Sequence, residues 1–316
     1  MQNRDRKMRF GIQTGQQNTT WDELVKIWKE ADDLGFDTAW NFDHFIPIFS
    51  NPNGPCLEAW TCAAALAAQT SRIRVGTMVT GNTYRHPAIL ANMATTVDII
   101  SKGRLELGIG AGWFELEHKA YGIPYPKVSE RIRRLDEAVH VIKQLWTEKK
   151  ANFEGRYYTL TDALCEPKPL QQPHPPVMIG GGGEQLTLRV VARHANEWNT
   201  FGSPAFLQRK IAILEEHCHA IRRDANEIEK SVLIGMTLTD DREKAERAIK
   251  TTAERRGMSL EEAKGWALAG TPEEIQKQIE QFLDVGVTHI ILTMTAPYDD
   301  EGLRRFAREV MPSFRK

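Results

Sequence analysis

With 316 residues, of which 41% are apolar and 26% charged, the chain has an ordinary soluble composition and is long enough for one α/β barrel or two smaller domains. Lys plus Arg (41) nearly cancels Asp plus Glu (42), so no basic surface for nucleic acid is expected. No apolar run approaches the roughly 18 residues needed to cross a bilayer, and the polar start Met1-Gln2-Asn3-Arg4-Asp5-Arg6-Lys7 is no signal peptide. The four cysteines (Cys56, Cys62, Cys165, Cys218) lack Cys-x-x-Cys spacing and read as reduced thiols of a cytoplasmic protein.

Strand and helix patterns alternate along the chain. Phe10-Gly11-Ile12-Gln13 reads as a strand, and 21–34 as a helix with Leu24, Val25, Ile27, Trp28 and Ala31 on one face, stopped by Gly35. Thr38-Ala39-Trp40-Asn41-Phe42 is the second strand, and a helix over 57–70 leads to a third at 73–80. Pro87 opens a helix running to about 100. Strand 104–109, helix 129–147, strand 176–180, helix 184–194, strand 197–201, helix 204–223 and strand 232–237 follow. Helices near 241–256 and 272–285 precede the last strand, 289–294. Eight strands separated by helical sequence predict parallel βαβ units closed into a TIM-like (β/α)8 barrel, one domain over 1–316. The connections 43–56, 113–128 and 148–175 exceed what a barrel needs, the last with a small hairpin around Phe153-Glu154-Gly155-Arg156-Tyr157. Long loops after strands are where barrel enzymes keep substrate specificity.

Two strand ends are rich in glycine. In Leu105-Glu106-Leu107-Gly108-Ile109-Gly110-Ala111-Gly112-Trp113 the apolar strand ends in alternating glycines, which let backbone approach a bound group and offer N–H groups to an anion. Trp113 stands where a Rossmann fingerprint needs glycine or alanine, so the run is either an anion site of another kind or a packed turn. In Val177-Met178-Ile179-Gly180-Gly181-Gly182-Gly183-Glu184 a buried strand, four glycines and a helix N-terminus follow one another, the arrangement that holds phosphate. Together they point to a phosphorylated cofactor. Asp43-His44-Phe45 lies just beyond the second strand, where a histidine carries a proton near neutral pH or packs under Trp40 and Pro47. Thr80-Gly81-Asn82 ends the third strand, as a turn or as a set of neutral hydrogen-bonding groups. Trp40, Trp113 and Trp198 sit at or near strand C-termini and are candidates to line a pocket. Glu-x-x-His pairs at Glu115/His118, Glu137/His140 and Glu216/His219 would need a four-helix bundle to bind metal, so no metal site is expected.

These motifs, in this order, resemble the luciferase-like superfamily of flavin-dependent monooxygenases and coenzyme F420-dependent oxidoreductases. The matching pieces include Gly35-Phe36-Asp37-Thr38-Ala39-Trp40, Asp43-His44-Phe45, Tyr84-Arg85-His86-Pro87-Ala88 and Asp98-Ile99-Ile100-Ser101-Lys102-Gly103-Arg104. Pro167-Lys168-Pro169, Gly180-Gly181-Gly182-Gly183, Ala195-Asn196-Glu197-Trp198-Asn199 and Gly270-Thr271-Pro272-Glu273-Glu274 continue the series over nearly the whole chain. Gly112-Trp113 and Trp198-Asn199 look most like the F420-dependent branch. The resemblance implies a barrel holding F420, or alternatively FMN, at the strands' C-terminal ends. It places Asp43 and His44 against the ring system, with His44 as proton donor or hydride-transfer partner and Asp43 on the ring's polar edge. It puts Thr80 and Gly81 at a third-strand bulge that often carries a non-proline cis peptide. Ala111 and Gly112 match backbone near the cofactor side chain, and Gly181, Gly182 and Gly183 the phosphate loop. Sugar-phosphate dehydrogenases of the superfamily carry a glutamate at the position of Trp113, so an apolar or aromatic small-molecule substrate is expected. The expected function is hydride transfer between F420 and that substrate; the alternatives are an FMN-dependent monooxygenase working with a separate flavin reductase, or a non-catalytic flavin-binding barrel, and a homodimer is compatible with each.

Overall fold

A computed structural model of the chain describes residues 7–48 and 51–315; the polar stretch 1–6 and the tip of the 43–56 connection lie outside the described residues. In chain order the strands are β1 Arg9–Thr14, β2 Thr38–Asn41, β3 Arg74–Gly81, β4 Leu105–Gly110, β5 Ala151–Glu154, β6 Thr159–Ala163, β7 Val177–Gly180, β8 Glu197–Thr200, β9 Glu229–Leu238, β10 Ala267–Gly270 and β11 His289–Met294. The helices are α1 Trp21–Asp33, α2 Ala59–Gln69, α3 Pro87–Ile100, α4 Glu115–Ala120, α5 Val128–Thr147, α6 Thr187–His194, α7 Pro204–Ala220, α8 Arg242–Arg256, α9 Leu260–Ala263, α10 Pro272–Asp284 and α11 Asp300–Arg305. Their starts follow from capping chemistry. Thr20 and Glu23 form a capping box at α1, Thr271 and Glu274 another at α10, and Pro87 and Pro272 occupy first turns whose N–H groups have no intrahelical partner.

Eight parallel strands close in the order β1-β2-β3-β4-β7-β8-β9-β11, with Phe10 beside Ile290 and Trp198 beside Lys230 completing the ring. This is the expected TIM-like (β/α)8 barrel of the luciferase type. A ninth parallel strand, β10, is an addition to the expected eight; it pairs with the far half of β9, Gly270 beside Leu238. Ala267-Leu268-Ala269-Gly270 has no β-branched residue and no alternation, so periodicity does not mark it. The expected hairpin is present as β5–β6, but it follows α5 rather than a strand. It therefore lies along α5, where Glu137 accepts the N–H groups of Arg156, Tyr157 and Tyr158, and is not one of the loops of the barrel mouth.

The main apolar core lies between the barrel and its helices, with Phe10, Ile12, Leu24, Trp28, Leu107 and Ile179 among its members. Inside the barrel Trp40, Met78, Met178 and Ile291 form a separate cluster. Gly76 makes room for it, since a Cβ there would lie 2.5 Å from the Trp40 ring. Below that cluster, at the strands' N-terminal ends, the interior is polar. Arg9 donates to Glu106 (2.6 Å) and Glu229 (2.7 Å), Arg74 Nε to Glu106 (2.5 Å), and His289 bridges Glu197 (2.8 Å) and Thr38 (2.9 Å). Glu197, Glu229 and His289 bring ligand atoms within 4.8 Å of one another. The Arg9 guanidinium, on the same carboxylates, supplies the positive charge there. The network closes the end of the barrel opposite the site described next.

Candidate active site at the barrel mouth

His44 sits just past β2, nearly buried, with its ring edge-to-face against Phe42, Trp113 and Phe114. Its Nδ1 lies 2.9 Å from Oε2 of Glu117, a fully buried residue of α4. The Glu117 carboxylate also accepts the hydroxyl of Tyr84 and the backbone N–H groups of Phe45 and Ile46 (3.1 Å to Ile46). Burial alone would push this carboxyl up, but hydrogen bonds from His44, Tyr84 and Phe45 outweigh it and hold the group below the ordinary carboxylate range. A charged Glu117 facing Nδ1 keeps a proton on that nitrogen. In the neutral tautomer this selects, Nε2, which has no hydrogen-bond partner among the described residues, is the proton acceptor. Burial and the same carboxylate push the Tyr84 phenol well above its ordinary value, so Tyr84 stays a donor.

Asp43 points elsewhere, as adjacent residues of an extended chain do. Its buried carboxylate takes the Arg85 guanidinium on both oxygens (2.5 and 3.0 Å) and the Gly81 N–H (3.3 Å), and Arg85 also reaches Glu58 at 2.6 Å. This ties the end of β3 to β2. Asp43 thereby acts on the mouth through Gly81, and its carboxylate is already engaged by protein donors. The third strand carries the expected irregularity, with a register shift between Thr77 and Thr80 and a cis peptide at Met78–Val79, ahead of Thr80 and Gly81. The Gln13 side chain donates to the Met78 carbonyl at 2.8 Å. The Thr80 hydroxyl accepts from Trp60 Nε1 (3.0 Å) and has no exposed surface, so the expectation that it contacts a cofactor is corrected: it faces the helix layer.

The two glycine-rich ends do different work. A Cβ on Gly110 or Gly180 would lie 2.8 Å from a Val79 methyl, so these glycines admit the Val79 side chain between β4 and β7. Half-buried Ala111 packs on the core, and Gly112 adopts φ +77° with its carbonyl accepting from Arg131 (3.1 Å). The loop after β7 is open. Gly181 has φ +128°, which suits glycine alone, and the N–H groups of Gly182 and Gly183 have no hydrogen-bond partner among the described residues. The helix expected from 184 begins instead at Thr187, because the Gly183 carbonyl accepts the Leu188 N–H (3.0 Å) and closes a turn first. A Cβ on Gly183 would lie 2.7 Å from Thr187 Oγ1 at that helix start. Free N–H groups, a helix N-terminus and a cradle without side chains fit a phosphate.

Of the three tryptophans expected on a pocket wall, Trp113 is 60% exposed and lies edge-to-face against His44. Trp40 and Trp198 are fully buried and are corrected to packing residues. Trp40 turns into the barrel, and Trp198 donates from Nε1 to the Gly181 carbonyl at 2.8 Å. Glu117, Tyr84, Arg85 and Lys210, which donates to the Gly182 carbonyl at 2.9 Å, are site residues that the sequence pattern does not single out by chemistry. Tyr84 and Arg85 stand in a matched motif, whereas Glu117 lies beside a Glu-x-x-His pair whose histidine in fact bonds Thr83 and the Phe114 carbonyl.

The sequence model of luciferase-like monooxygenases matches residues 8–263. The chain belongs to that family. Among curated members of the luciferase-like family, the F420-dependent glucose-6-phosphate dehydrogenase of Amycolatopsis mediterranei is 29% identical over 93% of this chain and 94% of its own. The enzyme of the same name from Intrasporangium calvum is 30% identical over 93% and 95%. The luciferase-like barrel also superposes on solved structures. An F420-dependent secondary alcohol dehydrogenase in complex with an F420–acetone adduct gives a TM-score of 0.86 at 24% identity, covering 98% of this chain and all (100%) of the other. The coenzyme F420-dependent tetrahydromethanopterin reductase of Methanopyrus kandleri gives 0.83 at 21%, with 98% and 100% covered. At these identities the structures show the shared fold. No helix among the described residues is long and apolar enough to cross a membrane.

Proposed function

We propose that this luciferase-like barrel is a coenzyme F420-dependent oxidoreductase that transfers a hydride to or from an apolar or aromatic alcohol or carbonyl compound. The observation that carries the reading is the pairing, at one end of the barrel, of the open Gly181-Gly182-Gly183 cradle with a histidine whose tautomer is set by Glu117. Curated relatives named for F420 dependence over nearly the full chain support the choice of cofactor. The phosphate would be held by the Gly182 and Gly183 N–H groups at the start of α6, and Gly81, Ala111 and Gly112 would line the rest of the cofactor site. Bound there, the deazaflavin supplies a two-electron hydride carrier. The protein's own work is positioning and proton handling. His44 Nε2 takes the hydroxyl proton when an alcohol is oxidised, its Nδ1–H held by Glu117 so that the developing imidazolium is paired with a carboxylate. Trp113 and Phe201, exposed on the loops after β4 and β8, offer aromatic surface to the substrate.

Turnover of F420 by the purified protein, measured on a panel of apolar and aromatic secondary alcohols beside glucose 6-phosphate, tests the substrate class. Preference for the apolar members by at least tenfold in kcat/KM is expected. Efficient oxidation of glucose 6-phosphate with no activity on the others would overturn it.

A further inference from the structure

The phosphate cradle is aimed by two buried side chains on its far side, and we infer that Lys210 is a positioning residue for phosphate binding. The inference rests on the F420 reading above. Trp198 Nε1 donates to the Gly181 carbonyl at 2.8 Å, and Lys210 Nζ to the Gly182 carbonyl at 2.9 Å. Both donors are buried, Trp198 completely. The two peptide units concerned are trans and planar, so each N–H points opposite to its own carbonyl. The Gly181 carbonyl shares its unit with the Gly182 N–H, and the Gly182 carbonyl with the Gly183 N–H. Drawing both carbonyls inward therefore turns both N–H groups outward, where neither has a partner among the described residues. Glycine makes such a clamp necessary: without a Cβ the peptide units of a four-glycine run rotate at little cost, and an unclamped loop presents its carbonyls as readily as its N–H groups.

Lys210 does a second thing. Its ammonium lies 2.7 Å from the Glu184 carboxylate, which Arg209 also reaches at 3.0 Å. Glu184 follows the cradle directly and would repel a phosphate if left unneutralised. Lys210 thus both orients the donors and cancels the nearest negative charge, from a place where it need not touch the ligand. The nearby aromatic ring of Phe206, 5.1 Å from Nζ, helps confine the side chain.

The test compares wild type, Lys210→Met and Glu184→Gln in equilibrium titrations with two ligands: F420, and the deazaflavin riboside that lacks the phosphate and everything beyond it. Lys210→Met keeps the apolar stem but removes the donor. It should weaken F420 binding at least tenfold and leave riboside binding within twofold. Glu184→Gln keeps Lys210 on the Gly182 carbonyl and should bind F420 as tightly as wild type or more so. If wild type binds F420 and Lys210→Met binds it equally well, the positioning role is wrong while the cofactor reading stands. Equal losses for both ligands would make Lys210 a general structural residue and also overturn the inference. If wild type binds the riboside and F420 with equal affinity, the cradle holds no phosphate and the cofactor-site reading fails first.

Discussion

Replacing Glu117 by glutamine separates charge from shape at the centre of the site. The carboxylate receives four donors, from His44 and Tyr84 on one oxygen and from Phe45 and Ile46 on the other. Glutamine keeps one acceptor oxygen and replaces the other by an NH2 group. The backbone N–H groups cannot turn, so the amide oxygen goes to Phe45 and Ile46 and the NH2 faces His44 and Tyr84. Tyr84 can rotate its hydroxyl and accept, and His44 can accept at Nδ1 by moving its proton to Nε2. Because both partners adapt, the stability cost should be modest, about 1–3 kcal/mol, the range for a weakened buried hydrogen-bond set. The catalytic cost is larger: Nε2 then carries a proton and no longer takes one from the substrate. Turnover should fall by about 10²–10⁴ while F420 affinity, set at the β7 loop, stays within a few-fold. Stopped-flow single-turnover rates and cofactor titrations on the same preparations measure both quantities. The folded Glu117 carboxyl titrates below its unfolded value, so its stabilisation is present above the ordinary carboxylate range and is lost as pH falls through the folded value. Denaturant unfolding should accordingly show the gap between wild type and Glu117→Gln narrowing on acidification. A variant with wild-type single-turnover rates would refute the tautomer argument, whatever its stability.

Three further outcomes follow from the same geometry. His44→Ala should lower turnover by about 10²–10⁴ with little change in cofactor affinity, read by the same two assays. Gly182→Val should weaken F420 binding by about 2–4 kcal/mol; the barrel should stay folded, because a Cβ there meets only Thr200 Oγ1 at 3.3 Å, and circular dichroism beside the titration distinguishes the two effects. Arg9→Met, which leaves the carboxylates of Glu106, Glu197 and Glu229 facing one another at the closed end of the barrel, should cost about 3–5 kcal/mol in urea unfolding.

The parts of this molecule legible in its sequence are those whose physics is local. Alternating apolar strands and capped helices predict the barrel, and glycines beside a strand end predict the cradle, because each signal lies within a dozen residues. His44 is legible as a strand-end histidine, but its partner Glu117 is 73 residues away and is brought to it only by the closed barrel and a six-residue helix in a long loop. Trp40 and Trp198 show the complementary limit. Their position at strand ends is readable, yet the direction of a side chain depends on strand tilt and on neighbours such as Gly76, whose missing Cβ draws the Trp40 ring inward. Lys210 reads as one more charge on an amphipathic helix until the fold sets it behind the Gly182 carbonyl.

Equilibrium titration of the purified protein with F420 and with FMN, followed by ligand fluorescence, tests the central claim most directly. The account predicts that F420 binds at least tenfold more tightly than FMN. FMN binding at micromolar affinity with no detectable F420 binding would contradict it and would leave a flavin monooxygenase, dependent on a separate reductase, in its place.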